Sequence, residues 1–196
     1  MGHLLSLTSA ALFLTALGLT LVSDWRLMTG LLVLQYSGVM VLIGESWPWN
    51  LAVVKLVAGL MAAGILGLTL WSNRSAGTWF PSSGPAGHVF RVLAACLVGI
   101  SVISFFDVAQ RWFVGASRFQ IQGGLFLIGL GLVHVALTAQ PPRVVIGLLT
   151  VLSGFEILYS SVEGSILMTA FLGLLNLGLA FVGAYLLSLS AEEDFS

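Results

Sequence analysis

The feature that most constrains this chain is a succession of apolar runs, each long enough to cross roughly 30 Å of hydrocarbon as a helix rising about 1.5 Å per residue. Seven such runs are read, over residues 4–23, 27–44, 51–71, 89–110, 123–140, 144–162 and 165–190. Inside lipid a backbone must satisfy its own N–H and C=O groups, which leaves helices or a closed strand barrel. A barrel needs alternating polarity, and these runs are instead rich in Leu, Ala and Gly without alternation. The expected fold is therefore all-α, a polytopic integral membrane protein with about seven transmembrane helices in one transmembrane domain over residues 1–196. Composition agrees: 8% of the residues are charged, against about a quarter in a soluble domain.

Tryptophans give an independent check on the boundaries. Trp25, Trp47, Trp49, Trp71, Trp79 and Trp112 all fall at or just beyond the end of a run, where an amphipathic indole is at home among headgroups. Orientation follows from arginine. With seven spans, Arg26, Arg74, Arg91 and Arg143 lie at the end that also holds the C-terminus, and Arg111 and Arg118 at the other. The bias of basic residues toward the cytoplasm then puts the N-terminus outside and the acidic tail Glu192, Glu193 and Asp194 inside.

Several chemistries are excluded on sequence. The N-terminus lacks the basic region of a cleavable signal peptide, and its first run is long enough to span, so it is expected to be retained. Cys96 is the sole cysteine, which removes intrachain disulfides, thiolate-bound iron-sulfur clusters and multi-cysteine zinc sites. Asn73-Arg74-Ser75 matches a glycosylation acceptor, but the orientation puts it in the cytoplasm. There is no Gly-rich phosphate loop, nucleophile elbow or basic nucleic-acid patch. No metal or cofactor is expected; haem would need two histidines facing each other, and His88 sits at a helix end while His134 is interior.

The two ends of the chain echo each other. Arg26-Leu-Met-Thr-Gly30-Leu31-Leu32, followed by Ser37-Gly38, matches Arg143-Val-Val-Ile-Gly147-Leu148-Leu149, followed by Ser153-Gly154 after a one-residue shift. If the three-helix ends are copies, over 4–71 and 123–190, the single helix at 89–110 between them makes them parallel repeats of the kind found in some transporters.

Ionisable residues inside the runs carry the functional information, because burying one in lipid costs several kcal/mol unless it faces protein or water. Lys55 is the one lysine of the chain. It shares an i, i+4 face with Gly59, Ala63 and Gly67, a small-residue stripe that admits a close neighbouring helix. The alternative is a lysine reaching out to the headgroups. Glu156 lies deeper. Thr150, Ser153, Glu156, Ser160 and Glu163 recur at three- and four-residue spacing, drawing the polar stripe that a hydrated proton path along one helix face needs. Its alternative is a glutamic acid hydrogen-bonded across a helix interface. Glu163 reads as a cap of the following turn.

Three further groups extend the set. His134 shares a face with Gly131 and Thr138, and an imidazole both donates and accepts protons, so it joins Lys55 and Glu156 as a candidate relay group or serves as a satisfied interface histidine. Asp107 has Arg111 at i+4, which reads as a local ion pair. Gln35, on a face with Gly38 and Glu45, and Asn176, in a stripe with Thr169, Gly173, Ala180 and Gly183, read as helix-packing and cross-helix hydrogen-bonding positions.

The stretch Asp24-Trp-Arg-Leu-Met-Thr-Gly-Leu-Leu-Val-Leu-Gln35, with Lys55-Leu-Val and with Arg143-Val-Val-Ile-Gly147 through Glu156 to Asn176, resembles the component E type of membrane subunit of group 4 hydrogenases. That type is related to the K subunit of respiratory complex I and to the C subunit of multisubunit cation/proton antiporters. The resemblance implies a noncatalytic subunit in a bacterial or archaeal cytoplasmic membrane, partnered by larger antiporter-like subunits, with Lys55 and Glu156 in an intramembrane hydrophilic axis. The K subunit carries a glutamate in each of two adjacent helices; the last helix here offers Asn176 and no carboxyl. Two other readings stand beside it, a self-contained small transporter or channel and a purely structural subunit.

Overall fold

The computed structural model describes residues 2–72 and 84–193. Asn73, Arg74, Ser75, Trp79 and Asp194, and the side chains of Glu192 and Glu193, lie outside this description. The described residues form seven helices: α1 Gly2–Leu21, α2 Trp25–Ile43, α3 Trp49–Ser72, α4 Pro85–Trp112, α5 Arg118–Ala136, α6 Pro141–Ser160 and α7 Ile166–Glu193. Each is long and apolar enough to cross a membrane. The chain is an all-α integral membrane protein.

Capping chemistry, not hydropathy, sets the helix ends. Asp24 opens α2 by accepting the Arg26 N–H at 3.0 Å. At the head of α5, Ser117 Oγ accepts the Gln120 N–H at 3.2 Å while the Gln120 side chain accepts the Ser117 N–H at 3.0 Å. This reciprocal box starts α5 ahead of the apolar run at 123, among the polar residues Arg118, Gln120 and Gln122 that hydropathy discounts. The other end of α5 falls short of 140. Pro141 and Pro142 cannot donate to a continuing helix and instead begin α6, where the first N–H groups have no helical partner anyway.

The helices form two rows of three. In one row α2 lies between α1 and α3; in the other α6 lies between α5 and α7; and α1, α2 and α3 rest on α5, α6 and α7 in that order. α4 stands outside, against α5 and α1, and is the least buried helix, whereas α6 is the most buried. The echoed residues of the two halves do not keep matching surroundings. Gly38 faces Leu12 of α1 and Gly154 faces α5, but Gly30 meets open space where Gly147 is enclosed by Val135 and Gly131. Arg26 is exposed where Arg143 is buried.

The closest approach in the bundle is between α5 and α6. Gly124 faces Gly154 and Gly131 faces Gly147, so that a Cβ placed on Gly154 would fall 2.5 Å from the Gly124 carbonyl oxygen. Glycines seven residues apart on both helices let the backbones touch, which in lipid gains the dispersion contacts that hydrophobicity cannot supply.

The end of the bundle holding the α2–α3, α4–α5 and α6–α7 connections is tied by side chains. Trp47 Nε1 donates to the Glu163 carbonyl at 2.9 Å. Ser117 Oγ donates to Glu45 Oε2 at 2.5 Å, and Gln120 Nε2 donates to the Leu42 carbonyl and to Ser46 Oγ, both at 2.8 Å. Trp47 is therefore not a headgroup anchor. It is 4% exposed and belongs to the core, because its N–H finds a protein carbonyl there. Trp49, Trp71 and Trp112 are exposed at helix ends as expected, and Trp25 lies under the Arg26 guanidinium.

Candidate functional site

Lys55 does not reach for headgroups. It is 3% exposed and its Nζ donates to Oε1 of Glu156, itself 2% exposed, joining α3 to α6. Among the described residues this is the one ion pair. The small residues that follow Lys55 explain how it is placed. Gly59 leaves the space filled by the Tyr36 ring, Gly67 receives the Thr29 methyl, and Ala63 is fully buried. The stripe thus lets α2 lie close along α3 and carries the lysine into the interior.

Two more helices complete the network. Asn176 of α7 donates through Nδ2 to Glu156 Oε1 at 2.8 Å, and its Oδ1 accepts the Tyr36 hydroxyl of α2 at 3.0 Å. Asn176 is fully buried and Tyr36 is 2% exposed. One carboxylate oxygen therefore receives an ammonium and an amide N–H, and the same amide orients a phenol. Hydrogen bonds to charged groups in a low-dielectric interior are the strong ones, which is what a buried ion pair needs to offset its desolvation. The amide in α7 leaves one positive and one negative group in the network, with no second carboxyl to balance.

The α6 stripe is buried through Thr150, Ser153, Glu156 and Ser160, and reaches the surface at Glu163, which accepts the Tyr159 hydroxyl at 2.6 Å. It is not a continuous hydrogen-bonded chain. Thr150, Ser153 and Ser160 donate to the carbonyls of Ile146, Leu149 and Ile157 on their own helix. Each hydroxyl consequently turns lone pairs, not a proton, toward its neighbours. Gln35, fully buried on α2, uses this at Thr150, its Nε2 donating to Oγ1 at 3.4 Å, while its Oε1 has no partner among the described residues.

Other residues fall elsewhere. His134 is buried near the opposite end of α5. With Gly124 facing Gly154 and Gly131 facing Gly147, His134 stands level with Val144, about 18 Å along α6 from Glu156 by helical rise. The structure therefore does not bring His134 to the Lys55–Glu156 pair. The ion pair read for Asp107 and Arg111 is a correction: both are exposed near the end of α4 and no bridge joins them. On an exposed helix face, holding two flexible side chains together costs rotamer freedom that a screened attraction does not recover.

Tyr36 was missed by sequence reasoning, as were the inward roles of Arg91 and Arg143. The available signal for Tyr36 was its seven-residue spacing from Thr29, matched by Gly59 and Gly67 at near-heptad spacing on α3.

The fold and this site define a polytopic helical membrane protein with a charged pair, an amide and a phenol joined at the meeting of four helices. No family model, curated protein or solved structure matches the chain.

Proposed function

We propose that this chain is a noncatalytic membrane subunit of a proton- or ion-translocating, energy-converting complex of the kind that includes group 4 hydrogenases and complex I, and that Lys55 and Glu156 are its charge-moving pair. The observation that carries the reading is that pair: a lysine and a glutamate on different helices, both removed from lipid and water, hydrogen-bonded to one another. Ionisable groups at such depth are costly and are found where charge passes. A proton arriving on Glu156 leaves the Lys55 ammonium uncompensated and favours loss of its proton; the reverse order restores the pair. Asn176 holds the carboxylate in place through these changes. His134, in the other half of the bundle, is a second stop on a path that water or neighbouring subunits complete. Larger antiporter-like subunits are the partners in this reading, the N-terminus faces outward, and the arginine-rich end faces the cytoplasm of a bacterial or archaeal cell.

Glu156→Gln and Lys55→Met should each impair ion pumping while leaving the protein in its complex. Unchanged pumping in both leaves a packing role alone. A self-contained transporter is the second reading, favoured by the packing of α1, α2 and α3 onto α5, α6 and α7 in the same order. Mild-detergent purification with mass analysis of companions separates the two: copurifying membrane subunits support the first, and a chain running alone overturns it.

A further inference from the structure

At the end of the bundle opposite the Trp47 tie, a cavity of about 10 Å³ is lined by Thr20, Arg91, His134, Leu137, Thr138 and Arg143. That is room for about one water-sized group. Four separate helices contribute: α1 through Thr20, α4 through Arg91, α5 through His134 and α6 through Arg143. His134 is 5% exposed, and its Nε2 has no hydrogen-bond partner among the described residues.

The two guanidinium groups are anchored from behind. Arg91 Nη1 donates to the Thr20 carbonyl at 2.7 Å. Arg143 Nη2 donates to the Val22 carbonyl at 2.6 Å and to Ser23 Oγ at 3.3 Å. These carbonyls belong to the last turn of α1 and the residue after it, where the helix dipole favours positive charge. A guanidinium has five N–H donors in a fixed fork, so anchoring one nitrogen pre-orients the others. Arg91, Arg143, Thr138 and His134 thus line one small space, and none of the six lining residues is a carboxylate.

We infer that this cavity is an oxyanion site that takes one oxygen of a phosphate group, gripped by Arg91 and Arg143 and completed by His134 Nε2 and the Thr138 hydroxyl. Planar guanidinium forks match phosphate geometry and give charge-assisted hydrogen bonds. Basic pockets between helices at a membrane end suit lipid headgroups. Arg91 is half-buried on α4, the least buried helix, and so stands on the lipid side of the cavity. An anionic phospholipid headgroup and free inorganic phosphate offer the same chemistry here.

Two probes on the whole protein in mild-detergent micelles distinguish them. The first is native mass spectrometry of lipid retention with phosphatidylglycerol against phosphatidylcholine. The second is the melting temperature in inorganic phosphate against chloride at equal ionic strength. Wild type is expected to retain one phosphatidylglycerol in preference to phosphatidylcholine, to be stabilised by phosphate, or both. Retention without a phosphate response identifies the lipid as the source; a phosphate response shows that the free anion suffices. Arg91→Gln, which can still donate to the Thr20 carbonyl, and His134→Gln should each weaken the response about tenfold or more, as loss of one hydrogen bond to a charged group implies. Arg26→Gln, an exposed arginine at the same end, should not. If Arg91→Gln fails to fold, Arg91→Lys keeps the charge without the fork and gives the same reading. Absence of both responses in wild type overturns the site. So does an undiminished response in the cavity variants, or an equal loss in Arg26→Gln.

Discussion

At the level of single residues, the molecule turns on how a lysine and a glutamate are paired away from water. The pair is attractive because its members are together, and each is a liability alone. Lys55→Met should lower stability by about 3 to 5 kcal/mol, because it leaves Glu156 buried without its cation. Lys55→Met combined with Glu156→Gln should recover most of that loss, since a neutral polar pair has no ion to desolvate. Thermal unfolding of the two single variants and the double variant in detergent checks this; additive losses would mean that the two side chains are not coupled. Lys55, Glu156 and Asn176 were legible in the sequence as polar residues out of place in apolar runs, and the small-residue stripe after Lys55 indicated which way it faces. That Lys55 meets Glu156 was not legible, because spacing along one helix says nothing of which other helix lies opposite. Asp107 and Arg111 show the converse: i+4 spacing allows an ion pair, and exposure removes the reason to form one.

At the level of helices, glycine decides which pairs approach. Gly124 and Gly131 on α5 meet Gly154 and Gly147 on α6 at backbone contact, and α6 in turn sets the position of Glu156. Gly154→Val should therefore cost about 1 to 3 kcal/mol through forced separation of the two helices. Gly30→Ala, at a position with open space around it, should be neutral or stabilising by about 0.5 to 1 kcal/mol from helix propensity. Comparison of the two melting temperatures tests the assignment, and a similar loss in both would contradict it. The spans were legible from hydropathy, with ends misplaced where a capping box or a proline pair overrides composition, as at Ser117 and Pro141. The α5–α6 contact could have been found from the matching seven-residue glycine spacings, which an i, i+4 search passes over.

At the level of the whole molecule, six of the seven helices form two rows of three, and α2, α3, α6 and α7 meet at a central place where Lys55 and Glu156 are shielded from lipid. Orientation there has a direct test. In a Cys96→Ser background, an impermeant maleimide added to intact cells should label Val114→Cys, in the α4–α5 connection, and should reach Ala139→Cys, in the α5–α6 connection, after permeabilisation. The reverse pattern would invert the topology. The membrane class was legible from composition alone, whereas the two-row order depends on contacts between helices far apart in sequence. The central claim is that charge crosses through the Lys55–Glu156 pair, and proton pumping measured by dye quenching in inverted membrane vesicles tests it most directly. With Glu156→Gln present at wild-type abundance, the rate should fall at least about tenfold, as loss of a positioned proton-transfer group implies. A wild-type rate in that variant would contradict the account.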